Sequence, residues 1–167
     1  LPFVTIDNQT SKDLDQALYI ERRPDQGFTL HYAIADVAAF IPQGSPLDKE
    51  ALERSFTTYL PHTALSMLPK ELCEDLISLN PNVERRAFVV TVEFDANGVM
   101  GDTRFERGVV KSQAKLSYGQ VQRHLDMGEH GELRGKPYTE ALGLLKTLGA
   151  LRMGLAQKRG VVDAHDT

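Results

Sequence analysis

The chain has 167 residues, of which 41% are hydrophobic and 25% are charged, and its formal net charge is −4. This length gives one domain with a real core, and the composition is that of soluble globular proteins, which excludes disordered, collagen-like and disulfide-scaffold classes. The acidic balance argues against a nucleic-acid partner unless positive charge is focused locally or supplied from outside this sequence, because phosphate binding depends mainly on Lys and Arg.

The single cysteine limits both the redox compartment and the zinc chemistry of the chain. Cys73 can form no intramolecular disulfide and no cysteine-rich zinc site, so a reducing cytoplasm is expected. No apolar run approaches the roughly 20 residues that cross a bilayer, and no signal peptide opens the chain, so no membrane partner is expected. The first residue is not Met, and the chain ends soon after Gly160, which we interpret as two cuts in a longer polypeptide.

The first predicted elements are strands. Residues 3–7 and 17–22 are short extended segments, and a polar loop lies between them. Residues 28–36 are rich in apolar and β-prone residues, which predicts a largely buried strand, and the preceding Pro24–Gly27 has turn chemistry. We therefore expect the second and third strands to form a hairpin.

A helix and a less regular stretch follow. Ser45, Pro46 and Asp48 match an N-cap, a proline at the first helical position and a first-turn acid, so a helix should run from Pro46 to Ser55. Residues 65–79 lack a clear start signal and contain Pro69, so they are predicted as a loop followed by a short helix.

The rest of the chain predicts a second hairpin and two helices. Residues 87–94 and 99–110 flank an Asn-Gly turn, which is a strong hairpin signal. Ser117 and Gln120 form a capping box for a helix that reaches Leu125. After a loop at 128–136, leucines recur every three or four residues from 137 to about 160, as in an amphipathic helix. The expected class is α+β, with mixed sheet hairpins and packed helices.

The densest acidic feature contains Asp7, Asp13 and Asp15. In an extended segment Asp13 and Asp15 project from one side with Leu14 opposite, and the loop at 8–12 is long enough to bring Asp7 back towards them. Converging carboxylates repel one another unless a cation or a proton intervenes, and Mg²⁺ accepts a few carboxylates while keeping waters and phosphate oxygens. Such a site suits phosphodiester hydrolysis.

One other interpretation of this segment remains from the spacing alone, and a second is excluded. A solvated acidic loop is the simpler one, because short motifs have many false positives. A calcium loop of the EF-hand type does not match, because the segment lacks the central glycine and the later glutamate.

Seven short motifs follow one another along the chain. They are Thr5-Ile6-Asp7 with Asp13-Leu14-Asp15, Ala33-Ile34-Ala35-Asp36-Val37, Ser45-Pro46-Leu47-Asp48, Thr58-Tyr59-Leu60-Pro61, Met67-Leu68-Pro69, Leu76-Ile77-Ser78-Leu79-Asn80-Pro81 and Ala114-Lys115-Leu116-Ser117-Tyr118. Their identity and order resemble the ribonuclease II and ribonuclease R family, which includes the catalytic subunit of the eukaryotic exosome. The resemblance runs from about residue 3 to about residue 162.

The resemblance implies hydrolysis of single-stranded RNA from its 3′ end, with Mg²⁺, to nucleoside 5′-monophosphates. It implies that Asp7, Asp13 and Asp15 are the first three of four metal-binding aspartates, with Asp13 and Asp15 catalytic and Asp15 the one essential for cleavage. The fourth aspartate falls at Gln16, which can offer a carbonyl oxygen but no charge.

The resemblance also implies two RNA-binding aromatic residues and an incomplete domain. Tyr59 corresponds to a tyrosine near the 3′-terminal nucleotide, and Tyr118 corresponds to one near the RNA channel; aromatic rings stack on any base. Residues 1–167 are expected to be the first half of a ribonuclease II-type catalytic domain, without its second half and the flanking RNA-binding β-barrels. The piece alone is therefore expected to be inactive.

Two rival functions follow from the same residues. The first is a non-catalytic RNA-binding protein whose metal site has decayed, which Gln16 favours. The second is an acidic-loop protein with a structural cation and no RNA partner.

Overall fold

The computed structural model describes residues 1–60, 62–128 and 131–160, and its side-chain description leaves out Tyr59, Thr63 and Ala64. The strands are β1 (Val4–Asp7), β2 (Gln16–Arg22), β3 (Phe28–Ala35), β4 (Thr58–Leu60), β5 (Thr63–Leu65), β6 (Glu84–Phe94), β7 (Met100–Lys111) and β8 (Ala114–Ser117). The helices are α1 (Pro46–Arg54), α2 (Tyr118–Met127) and α3 (Thr139–Lys158), with a 3-10 turn at Val37–Ala39 and a π-helical turn at Glu71–Leu76.

Six of these strands form one mixed sheet in the order β7-β6-β3-β2-β1-β8, and β4 pairs with β5 in a separate small hairpin. All neighbours in the six-stranded sheet are antiparallel except β1 and β8, which run parallel. The helices pack against this sheet, so the predicted α+β class is confirmed.

Both predicted hairpins are present. Strand β2 pairs with β3, and β6 pairs with β7 around the Asn-Gly turn. In that turn the Asp95 carboxylate accepts hydrogen bonds from the backbone N–H groups of Asn97 and Val99 at 2.9 and 2.8 Å, while Gly98 adopts φ +77°. Local turn chemistry was therefore enough to predict these two pairings.

The helix caps also confirm the sequence signals. The Ser45 hydroxyl accepts a hydrogen bond from the Asp48 backbone N–H at 3.2 Å, and α1 ends one residue before the predicted bound. Ser117 and Gln120 form both halves of the capping box of α2. The short helix expected within 65–79 is the π-helical turn. In the parts of the chain that the structure describes, no helix has the length and apolar character to cross a bilayer.

Three apolar clusters make up the core. The first joins β2, β3 and β6 to the segment between α1 and β6, and the second joins β1 and β8 to α2 and α3. In the third, Ala141, Leu144 and Leu148 of α3 cover Phe28 and Phe94. This burial confirms the predicted amphipathic helix.

Two features of the strands were not predicted. Strand β3 is only partly buried, because α3 covers the Phe28 end of one strand face and leaves Ile34 exposed at the other end of that face. Strands β4, β5 and β8 were not predicted, because three or four residues are too few to establish an alternating pattern. The pairing of β8 with β1 places Tyr118, the residue that follows β8, near Asn8 and Gln9.

Candidate active site

The acidic segment, residues 7–16, connects β1 to β2 at one end of the sheet, and its residues 8–15 form the acidic loop between the two strands. Asp7 is the last residue of β1, Gln16 is the first residue of β2, and the chain reverses direction between them. Leu14 is 1% exposed, whereas Asp13 and Asp15 on either side of it are exposed. The predicted alternation is confirmed, because the buried Leu14 directs its two acidic neighbours outwards.

An open cleft of ≈ 810 Å³ lies beside this segment. Asp13, Asp15 and Gln16 line one side of it, and residues from the π-helical turn and its approach, among them Lys70 and Glu74, line the other. The cleft is large enough to hold a nucleotide-sized group, since binding pockets are typically about 300–1,000 Å³.

Like charges are crowded at this cleft. Although Asp15 as a whole residue is exposed, surrounding atoms desolvate its carboxyl and raise its pKa, and the negative charges of Asp13 and Asp7 raise this pKa further. Charge repulsion of this kind is relieved by a cation or by a proton. The charges of Asp13 and Asp7 therefore both reach the Asp15 carboxyl.

Asp7 takes a different position from Asp13 and Asp15. Its carboxylate accepts hydrogen bonds from the Asn8 backbone N–H at 2.6 Å and from the Ser11 hydroxyl at 2.8 Å, and it does not line the cleft. Within residues 1–60, 62–128 and 131–160 no group of three or more His, Cys, Asp or Glu side chains is arranged to hold a metal ion. The structure therefore does not assemble the three carboxylates in advance.

The residues at the cleft nevertheless fit Mg²⁺ by their chemistry. Mg²⁺ is usually bound through one or two protein carboxylates, with waters and substrate phosphates as its other ligands. Asp13 and Asp15 supply two carboxylates on the cleft wall, and their repulsion favours a cation. Two carboxylates are enough for this type of site.

Gln16 has a partner that the sequence did not predict. The Tyr32 hydroxyl donates a hydrogen bond to the Gln16 side-chain oxygen. Burial raises the pKa of Tyr32, and nearby Tyr118 raises it further, so the hydroxyl keeps its proton and remains a donor. The register of β2 with β3 pairs Gln16 with Ile34, which puts Tyr32 two residues away on the same face. This contact could not be predicted from the sequence, because it depends on the register between β2 and β3.

Of the two predicted RNA-binding tyrosines, the structure describes the side chain of Tyr118 but not that of Tyr59. Tyr118 begins α2, is 59% exposed, and lies with Asn8, Gln9 and Arg123 around a smaller pocket of ≈ 260 Å³. Because Asn8 also lines the main cleft, the acidic loop separates the two hollows. The Tyr59 backbone lies in β4, but its side chain is outside the described part of the structure, so its role stays a prediction.

Contacts from other elements fix the backbone of the acidic loop. The Lys115 ammonium on β8 donates to the carbonyl oxygens of Gln9, at 3.0 Å, and Ser11. The Ala35 backbone N–H donates to the Asp15 carbonyl oxygen at 2.9 Å. The basic residue Lys115 therefore holds the loop.

Comparisons with known proteins agree on one family. A family model described as the RNB domain matches residues 1–166. The chain is 46% identical over 135 residues to exoribonuclease 2 of Actinobacillus pleuropneumoniae serotype 5b, covering 78% of the chain and 20% of that protein. It is 39% identical over 160 residues to exoribonuclease 2 of Vibrio cholerae serotype O1 (strain M66-2), covering 95% of the chain and 23% of that protein.

Solved structures give the same result. The chain superposes on Mycoplasma genitalium RNase R in complex with ribose-methylated single-stranded RNA with a TM-score of 0.90 and 36% identity, covering 98% of this chain and 25% of that one. The same enzyme in complex with double-stranded RNA gives a TM-score of 0.90, and the match covers 29% of that chain. The chain thus spans about a fifth to a quarter of the length of most of these relatives.

Proposed function

Because the chain belongs to the RNB domain family, we propose that it forms part of the catalytic domain of an exoribonuclease. The proposed reaction is hydrolysis of single-stranded RNA from its 3′ end, with release of nucleoside 5′-monophosphates. The observation that carries this proposal is the cleft with Asp13 and Asp15 on its wall, within a chain that matches the family over residues 1–166.

Asp13 and Asp15 are the residues that would hold Mg²⁺, with Asp7 close enough for its charge to act on Asp15. When bound, Mg²⁺ neutralises charge on the phosphate and makes water a better nucleophile. The Gln16 side-chain oxygen can serve as a neutral ligand, although it already accepts a hydrogen bond from Tyr32. The Tyr32 hydroxyl thus orients the amide oxygen at the cleft.

The RNA strand would run along the acidic loop, which separates the main cleft from the smaller pocket at Tyr118. Tyr118 offers an exposed ring beside the loop, and Tyr59 is proposed to stack on the last nucleotide. Unpaired bases expose the faces that such rings need, so single strands should bind better than duplexes of equal length and salt. Loss of the Tyr59 stack should change the length of the final product.

A non-catalytic RNA-binding protein is the second candidate. Gln16 favours it, because an amide replaces a carboxylate at the cleft and its oxygen is already engaged. This candidate predicts RNA binding without cleavage at any Mg²⁺ concentration.

The test uses the intact protein with RNA labelled at its 5′ end and, in parallel, at its 3′ end. The exonuclease should release the 3′ label first as a mononucleotide while the 5′-labelled RNA shortens progressively, and chelation of Mg²⁺ should stop both. Internal cuts, or release of the 5′ label first, would contradict the proposal. RNA binding without any cleavage would favour the second candidate. The inactivity of residues 1–167 alone and a cytoplasmic location both stay predictions.

A further inference from the structure

A fully buried serine from a distant part of the chain contacts the acidic segment. Ser78 is 0% exposed and lies between the π-helical turn and β6. Its hydroxyl donates a hydrogen bond to the Lys12 carbonyl oxygen at 2.8 Å and accepts one from the Leu14 backbone N–H at 3.0 Å. These two atoms belong to the residues immediately before and after Asp13.

The two hydrogen bonds restrict the backbone of Asp13 from both sides. A single hydroxyl that joins the carbonyl of residue 12 to the amide of residue 14 limits the rotations available to residue 13. The next backbone groups are fixed as well, because the Leu79 N–H donates to the Leu14 carbonyl oxygen at 2.9 Å. The directions of the Asp13 and Asp15 side chains follow from this backbone.

Ser78 is itself held in place. The Arg85 Nε on β6 donates to the Ser78 carbonyl oxygen at 3.0 Å, and the same guanidinium donates to the Asp75 carboxylate at 3.0 Å. The guanidinium therefore ties the Ser78 backbone to the end of the π-helical turn. A rigid second layer of this kind is what keeps reactive groups in position.

We propose that Ser78 is a positioning residue for the cleft: it fixes the backbone around Asp13 and so directs the Asp13 and Asp15 carboxylates into the cleft. Ser78 touches neither substrate nor metal in this account. The proposal rests on the proposed exoribonuclease function, because the positioned groups are those assigned to cleavage.

The chain offers a matched control at Ser112. This serine is 1% exposed and its hydroxyl also donates to a backbone carbonyl, that of Ala114 at 3.1 Å, but among the residues that the structure describes it forms no hydrogen bond with the acidic segment. Ser112→Ala and Ser78→Ala therefore both remove a buried hydroxyl from a backbone contact. Only Ser78→Ala leaves the Leu14 N–H without its partner.

The experiment compares Ser78→Ala, Ser78→Thr and Ser112→Ala in the intact protein. In Ser78→Ala, kcat should fall by roughly tenfold to a hundredfold while KM for RNA changes little, because misplaced groups slow the chemical step. Ser78→Thr keeps the hydroxyl and should recover most of kcat, and Ser112→Ala should keep the natural kcat. Equal kcat in Ser78→Ala and Ser112→Ala would overturn the proposal, and so would a Ser78→Thr variant that folds but is as slow as Ser78→Ala.

Hydrogen–deuterium exchange gives a readout that needs no activity. Peptides covering residues 8–16 should exchange faster in Ser78→Ala than in the natural protein or in Ser112→Ala. Unchanged exchange there would overturn the role of Ser78 even if cleavage slows. If the natural protein cleaves no RNA, the proposed function fails, whereas faster exchange at 8–16 would still support the backbone restraint.

Discussion

The six-stranded sheet has one face on which α3 packs, and the two ends of this face differ in how they are covered. At one end Phe28 and Phe94 lie under α3 and are buried. At the other end of the same face Ile34 is 41% exposed and Phe105 is 62% exposed. The pairings of β3 with β6 and of β6 with β7 place these residues along one surface.

This difference separates the part of the molecule that stabilises it from the part that carries the candidate chemistry. The covered end satisfies the ordinary rules of apolar packing. The open end has crowded carboxylates, exposed apolar side chains and Gln16 beside a cleft. Functional sites are where local rules are expected to fail, because chemistry needs groups that folding alone would not bring together.

The largest expected effect is a loss of stability at the covered end. Phe28→Ala should lower the free energy of unfolding by about 3–5 kcal/mol, because it removes a fully buried ring. Phe105→Ala should lower it by less than about 1 kcal/mol, because most of that ring is already in water. Urea denaturation of both variants measures the difference. Equal losses would mean that the open end is as well packed as the covered end.

A smaller effect should appear in RNA binding at the open end. Tyr118→Ala should weaken the binding of single-stranded RNA by about 1–3 kcal/mol, because it removes an exposed stacking ring. Tyr118→Phe is the matched control, since it keeps the ring and should bind nearly as well. Fluorescence anisotropy with a short labelled RNA measures both. If both variants bind like the natural protein, Tyr118 lies outside the RNA path.

The smallest expected effect concerns the Mg²⁺ requirement. Gln16→Asp adds a carboxylate next to Asp13 and Asp15 in the cleft, so half-maximal cleavage should need less Mg²⁺, because ligand charge is a main determinant of cation affinity. Gln113→Asp places the same charge at an exposed position away from the acidic segment and should leave the requirement unchanged. A Mg²⁺ titration of the initial rate separates the two variants. An identical midpoint in all three proteins would remove Gln16 from the metal site. Cleavage by Gln16→Asp alone would favour the non-catalytic alternative for the natural protein.

The predictable parts of the fold are those whose signals are local. The Asn-Gly turn, the Ser45 cap and the Ser117–Gln120 capping box each determine an element within a few residues, and all three are confirmed. Strand β8 was not predicted, because its four residues are in a strand through parallel pairing with β1, which lies more than 100 residues earlier in the chain. Long-range pairing leaves no local signature.

The same limit applies to the site. The outward direction of Asp13 and Asp15 followed from the alternation around Leu14. The Tyr32 contact depends on the β2–β3 register, and the Ser78 contact joins residues 64 and 66 positions apart, so neither could be read from spacing. The position of Asp7 outside the cleft lining was not predicted either, because it depends on the hydrogen bonds that its carboxylate accepts from Asn8 and Ser11.

The most direct test of the account is single-turnover cleavage by Asp15→Asn, with RNA affinity measured in parallel. Asp102→Asn is the matched control, because it makes the same change at an exposed position on β7. The account predicts that Asp15→Asn cleaves at least about a hundredfold more slowly while RNA binding largely survives, and that Asp102→Asn behaves like the natural protein. Cleavage by Asp15→Asn at the natural rate would contradict the assignment of the cleft as the catalytic site.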